Sequence, residues 1–165
     1  MPTNNVTRLL DSRNVSYTAY ELPKKKLGAE EAARFLDVPL ELMYKSIVVE
    51  REGRGKPLLA VTPGHKEVDL KALAKAAGEK KVKIASQKNA EKHTKLQTGG
   101  ISPLALINKG LDIFLDSSAE EHPEIYVSGG EIGLNIRLPV EDLLALTGAK
   151  MAVISREIYG KTKTW

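Results

Sequence analysis

The sequence predicts a single-domain α+β protein, a mixed, barrel-like sheet of about seven strands surrounded by short helices. Three observations predict it. A chain of 165 residues suits one hydrophobic core, and 42% hydrophobic with 28% charged residues is the balance of an ordinary globular domain. Short Val- and Ile-rich runs alternate with helical stretches closed by glycine or proline. Several of the runs are separated by only a few turn residues, as hairpins require.

Taken in order, Val6, Leu9 and Leu10 behind Thr3 as a cap predict a helix over residues 4–12. "VSYTAYEL" predicts a strand with Tyr17 and Ala19 on one face and Tyr20 on the other. Ala32, Ala33 and Leu36 give residues 29–36 the inner stripe of a helix that Pro39 stops. "KSIVVE" and "PLLAVTP" are strands joined through Gly53 and Gly55. Asp69 caps a helix through Ala77 that Gly78 closes, "KVKIAS" is a strand, and Ser86 caps a helix to about Lys95. "LDIFLDSS", "EIYVSGG" and "GLNIRLP" are strands, with Ile113 and Leu115 sharing a face and Gly129-Gly130 turning the last corner. A helix over residues 140–146 ends at Gly148, and "MAVIS" is a final strand. Residues 1–156 form the domain, and 157–165 are a polar C-terminal tail.

Composition removes several chemistries. There is no cysteine, hence no disulfide, thiolate metal site or thiol nucleophile of the protein's own. His65, His93 and His122 lie far apart with no H-x-x-x-H spacing, so no metal site is expected, and no cofactor motif occurs: G-x-x-x-x-G-K-[ST] and G-x-G-x-x-G are both absent. Neither Ser102 nor Ser128 sits in a G-x-S-x-G elbow. No secretory leader or membrane-length apolar run is present, so the expected setting is cytoplasmic, without a membrane partner. The net charge of +4 is concentrated in lysine runs, at 24–26 and again from Lys80 to Lys95, which suit either a solvated face or an RNA backbone.

What remains is a site built largely from backbone. Gly99-Gly100 and Gly129-Gly130 can aim N–H donors at an oxyanion or a ribose, or can simply turn corners. Lys45 opens an apolar strand, where a cation is costly to bury unless something uses it. Ser46 adds a hydroxyl, Tyr20 an aromatic with a polar tip, and His93 a candidate acid or base on a lysine-rich helix.

"YKSIVV", "LAVTPGHKEVDLKALAKAAGEKKV", "GGISPL", "IYVSGG" and "GLNIRL" stand in the order and spacing of the YbaK family of aminoacyl-tRNA deacylases, related to the editing domain of bacterial prolyl-tRNA synthetases. The chain resembles that family from about Val6 to Arg156. The resemblance implies a mixed, barrel-like sheet and hydrolytic removal of cysteine from proline tRNA, acting in trans beside prolyl-tRNA synthetase. It places the essential lysine at Lys45, its neighbouring hydroxyl at Ser46 and the pocket tyrosine at Tyr20. Gly100, Ile101, Ser102 and Pro103 form one wall, and Ser128, Gly129 and Gly130 the other. The family commonly has threonine where this chain has Ser46 and aspartate where it has Asn135. The first change enlarges the pocket by a methyl and the second removes a charge, so alanine or serine are alternative cargoes to cysteine. Together with the absence of a protein thiol, metal motif or triad, the resemblance implies attack by the substrate's own thiol, with Lys45 positioning the aminoacyl group and N–H groups at Gly100 and Ile101 as the oxyanion hole. A pocket that holds an aminoacyl-tRNA end or a nucleotide without turnover is the alternative from another class.

Overall fold

The computed structural model describes residues 3–158, so the tail expected at 157–165 lies almost wholly outside the described residues. The elements follow the local signals closely. Helix α1 (Asn5–Ser12) is capped by Asn4 rather than Thr3: the Asn4 side chain accepts the Thr7 N–H while the Thr7 hydroxyl accepts the Asn4 N–H, a reciprocal box. Helix α2 (Ala29–Leu36) ends at Asp37 in the left-handed conformation, just before Pro39. Helix α3 (Leu70–Ala77) runs from the Asp69 cap to Gly78, and α4 (Gln87–Thr94) starts from the Ser86 cap. Helix α5 (Val140–Thr147) closes at Gly148.

Ten strands are present among the described residues, more than the seven or so expected. They are β1 (Thr18–Glu21), β2 (Tyr44–Arg51), β3 (Leu58–Pro63), β4 (Lys66–Val68), β5 (Val82–Ile84), β6 (Asp112–Asp116), β7 (Glu124–Ser128), β8 (Leu134–Pro139), β9 (Lys150–Ala152) and β10 (Ser155–Glu157). The expected last strand is broken in two. Ile154 is fully buried, donates its N–H to Asp116 and accepts the Asp69 N–H, which turns the chain from β9, parallel to β6, into β10, antiparallel to β4. The domain therefore continues through Glu157, one residue past the expected boundary.

The strands form a five-stranded sheet, β5-β2-β3-β6-β9, a three-stranded antiparallel sheet, β1-β8-β7, and the pair β10-β4. Among the described residues no closed barrel ladder links them. A single bridge between Met43 and Tyr126 joins the start of β2 to β7, so the barrel-like curl is a corner where two sheets meet. Leu59, Val61 and Leu115 of the large sheet pack toward Ile125, Val127, Ile136 and Leu138 of the small one in the main core. The opposite face of the large sheet carries Leu58, Ala60 and Phe114 against Leu73 and Ala74 of α3. Full burial of a side chain such as Leu73 contributes on the order of 1.5–3 kcal/mol. Helix α2 covers the outer face of the small sheet through Ala32 and Ala33, which meet Met43 and Tyr126. The seam between α2, the start of β2 and that outer face is where the candidate site lies.

Candidate active site

Cross-strand register places the first part of the site. In antiparallel pairing, opposed residues share a face, so Tyr20, Asn135 and Ser128 form one row across β1, β8 and β7 on the face that α2 covers. The start of β2 crosses the end of this row, bringing Lys45 and Ser46 beside it. From the other side comes the loop that follows α4, carrying Thr98, Gly99 and Ile101. Together these surfaces, with Gly28, Ala29 and Ala32 at the start of α2, enclose a cavity of about 220 Å³. That is below the roughly 300–1,000 Å³ of sites for drug-sized ligands, so it fits a small group such as an aminoacyl moiety.

Its electrostatics are simple. Lys45 is the one charged residue among the described residues that line the cavity. Two wall residues, Ser46 and Asn135, each hold a buried side-chain oxygen with no hydrogen-bond partner among the described residues, Ser46 Oγ and Asn135 Oδ1, while the Thr98 side chain is turned to the Glu91 carboxylate. Buried polar atoms are ordinarily satisfied, and leaving one unpaired costs about 1–3 kcal/mol. Together with the Lys45 cation, Ser46 and Asn135 make this wall the polar side of the cavity. A larger cleft of about 340 Å³ beside His65 and His122 contains one such atom, His65 Nδ1, and lacks that convergence.

Of the residues expected from the sequence, the cavity gathers Lys45, Ser46, Ile101, Ser128 and Asn135. The others have different work. Ser102 is fully buried and caps a short 3-10 turn by accepting the Leu104 N–H, with Pro103 at the first position of that turn. Gly100 donates its N–H to the Gln97 carbonyl at 2.8 Å, so it is no oxyanion donor. It is glycine because a methyl there would stand 2.9 Å from Glu131 Cα. Gly129 donates to the Leu134 carbonyl and Gly130 to Ser128 Oγ, so the second corner also has no N–H to spare. Among the described residues, the corner N–H groups without a hydrogen bond that also belong to the cavity wall are those of Gly99 and Ile101. Tyr20 opposes Asn135 but does not line the cavity; its ring packs on Tyr126 with centroids 5.7 Å apart and lies under the Arg137 guanidinium. Burial, then the neighbouring Tyr126, pushes the Tyr20 phenol up. His93 pairs with Glu50 at 3.0 Å on an exposed face and takes no part.

Sequence reasoning missed Thr98, which directly precedes the first glycine pair, and Tyr44, which directly precedes Lys45. Tyr44 contributes to the cavity wall while its hydroxyl bonds Ser118 Oγ at 2.7 Å, and burial pushes its phenol up to about 12. Adjacency to a residue already singled out was the available signal for both. Outside the cavity, Lys24, Lys25 and Lys26 are exposed and run straight into its Leu27–Gly28 wall.

Residues 23–146 match the model of the aminoacyl-tRNA editing domain family. EbsC of Enterococcus faecalis, which carries the provisional name Cys-tRNA(Pro)/Cys-tRNA(Cys) deacylase, is 35% identical over 153 residues, spanning 92% of this chain and 92% of that protein. A crystal structure provisionally described as a trans-editing enzyme for prolyl tRNA synthetase superposes with a TM-score of 0.77 at 25% identity, covering 94% of this chain and 99% of the other. The crystal structure of a hypothetical protein superposes with a TM-score of 0.84 at 23% identity, covering 93% and 100% of the two chains, and speaks for the fold alone.

Proposed function

The chain belongs to the aminoacyl-tRNA editing domain family, and from that premise we propose that it is a trans-acting aminoacyl-tRNA deacylase whose reaction takes place in the Lys45 cavity. The observation that carries this reading is the cavity itself: an aminoacyl-sized space with one cation, Lys45, beside the hydroxyl of Ser46 and the amide of Asn135. The 3′ end of the tRNA lies across the mouth, and its phosphates meet Lys24, Lys25 and Lys26, a contact that grips RNA without reading sequence. No helix among the described residues is long and apolar enough to cross a membrane, in keeping with a cytoplasmic role in translation.

Cysteine is the proposed cargo. The substrate's sulfur bonds to its own carbonyl carbon, the ester C–O bond to the ribose breaks, and the thiol proton ends on the ribose oxygen. The cyclic thioester so released is then opened by water. Lys45 stabilises the charge that develops on the carbonyl oxygen, and the Gly99 and Ile101 N–H groups are backbone donors available to share it. Ser46 and Ser128 serve as walls, since no base stands beside either to activate it. The choice among tRNAs falls to a partner such as prolyl-tRNA synthetase.

Incubation with tRNAs carrying labelled cysteine, serine or alanine tests this directly. Release of cysteine with serine spared supports the thiol route, whereas equal release of both replaces it with an activated water. Lys45→Ala is expected to lose about 10² to 10³ in rate with its fold intact by circular dichroism. Full activity of that variant removes Lys45 from the mechanism, and no release from any of the three substrates overturns the deacylase reading.

A further inference from the structure

Beside the cavity lies an open groove of about 720 Å³ that the proposed reaction leaves unused. Its sides are α1, the end of α4, the segment leading into β6 and the β7–β8 turn. Three cations from separate elements stand on it: Arg13 at the C-cap of α1, Lys95 at the C-cap of α4 and Lys109 ahead of β6. All three are exposed, and among the described residues none of them is in an ion pair. A fourth, Lys56, donates to the Lys109 carbonyl at 3.3 Å. Among the described residues the one acid on the lining is Glu131, whose Oε1 already accepts from the Asn4 amide at 2.9 Å. A hollow kept positive in this way attracts a polyanion. Its floor is aliphatic, with Leu9, Leu96 and Ile107, and among the described lining residues no aromatic ring offers a base a place to stack, so it suits a phosphate backbone held without base readout.

The groove and the cavity are separated by two loops that they share. After α4, Lys95 and Leu96 line the groove while Thr98 and Gly99 line the cavity; after β7, Gly130 and Glu131 line the groove while Ser128 lines the cavity. The lysine run packs on the same two loops: a methyl on Gly99 would stand 3.7 Å from Lys26 Cα, and one on Gly133 would stand 3.1 Å from Lys24 Cγ. Cations thus follow the rim from Lys24 and Lys26 to Lys95, and continue into the groove at Arg13 and Lys109. An aminoacyl group in the cavity is the tip of a strand that carries one phosphate per nucleotide, and that strand must leave over a wall. Resting on the deacylase reading above, we propose that the groove between α1 and the loop after α4 holds the backbone of the tRNA acceptor end, with Arg13, Lys95 and Lys109 as its phosphate contacts. RNA is favoured over an acidic polypeptide because the groove opens on the very loops that wall the cavity and prolongs the lysine band that crosses them.

The test uses the full chain and two probes, a hairpin RNA with an unpaired 3′ extension and poly-L-glutamate, with binding followed by fluorescence anisotropy across a salt series. Arg13→Gln, Lys95→Gln and Lys109→Gln combined should weaken hairpin binding about tenfold and reduce the slope of log K against log salt by about 2, from about 0.7 per cation removed. Lys109→Glu alone should weaken it more than Lys109→Gln, with circular dichroism reading the fold of each variant. Lys71→Gln with Lys75→Gln, on α3 across the opposite face of the large sheet, should leave the slope unchanged. In turnover, the triple variant should lose kcat/KM through KM on an aminoacylated hairpin, and lose far less on aminoacyl-adenosine, which has no strand to lay in the groove. An unchanged slope in the triple variant, or an equal reduction per charge in the α3 variant, overturns the groove while leaving a deacylase. So does a triple variant that loses poly-L-glutamate and keeps the hairpin, which would give the groove to an acidic polypeptide. A wild type that releases no amino acid yet binds the hairpin with the groove-dependent slope takes down the deacylase reading alone and leaves the groove an RNA surface.

Discussion

Replacing Gly100 by alanine tests whether the corner beside the cavity is held by close backbone approach. The added methyl would stand 2.9 Å from Glu131 Cα, 3.0 Å from Glu131 C and 3.1 Å from Ile132 N, all backbone atoms of the β7–β8 turn. Since ordinary contact begins near 3.4 Å, the loop must withdraw by several tenths of an ångström, and Ile101 moves with it. Overpacking of this kind costs about 1–3 kcal/mol. For a domain of this size that is a fall in Tm of roughly 2–12 °C. The Gly100 N–H would still reach the Gln97 carbonyl, so the loss is steric and not that of a donor. Gly53→Ala is the matched control: nothing lies within 4 Å of its added methyl, and the unfolded chain loses freedom, so Tm should hold or rise slightly. Differential scanning calorimetry reads both variants, and kcat/KM on the preferred aminoacyl-tRNA should fall for Gly100→Ala alone. Wild-type Tm and activity in Gly100→Ala would refute the reasoning.

Asp116→Ala should destabilise the fold by about 1–3 kcal/mol in urea unfolding, because it strips a buried acceptor from the Ile154 and Ser118 N–H groups. Burial pushes the Asp116 carboxyl up, but hydrogen bonds from Ser118 and Ile154 outweigh it and hold it low. A lowered folded pKa gives stability that is present above the unfolded value and lost as pH falls through the folded one, so the variant and wild type should converge in acid. Tyr44 is the mirror case: its phenol, pushed up to about 12, favours the fold below pH 10 and loses that contribution as pH rises toward 12, so Tyr44→Phe should unfold less steeply in alkali by circular dichroism. Changing Lys24, Lys25 and Lys26 to alanine should weaken tRNA binding and reduce the slope of log K against log salt by up to about 0.7 per lysine that touches a single-stranded phosphate. An unchanged slope would move the RNA track elsewhere.

The five helices were legible because their ends carry the physics: Asp69 and Ser86 supply the missing acceptors, while Gly78 and Gly148 supply the left-handed exits. Strand β4 was not, since three residues beginning with Lys66 have no periodicity and gain their identity from β10, far along the chain. Lys45 stood out as a cation heading an apolar strand. The glycine corners were ambiguous in principle, because a residue that offers its N–H and one that admits a neighbouring backbone are both glycine. Ser102-Pro103 contained its own correction, as a capping serine followed by proline at the first position is a turn signature before it is a binding one. Thr98 became visible only with its surroundings, for nothing in a lone threonine says that its backbone will be tied to Glu91 on α4 and its side chain set on a cavity wall.

The Asn4 side chain reaches across to the β7–β8 turn, donating to the Gly129 carbonyl at 3.0 Å and to Glu131 Oε1 at 2.9 Å. Glu131 is in turn the buttress for Gly100, so a short linkage runs from Asn4 to the rim of the candidate cavity. Asn4→Ala is expected to loosen this linkage, whereas a fluorophore placed in the Gly53 hairpin sits off it altogether. The first turn of the chain is thus tied to the geometry of the cavity rim as well as to the stability of α1.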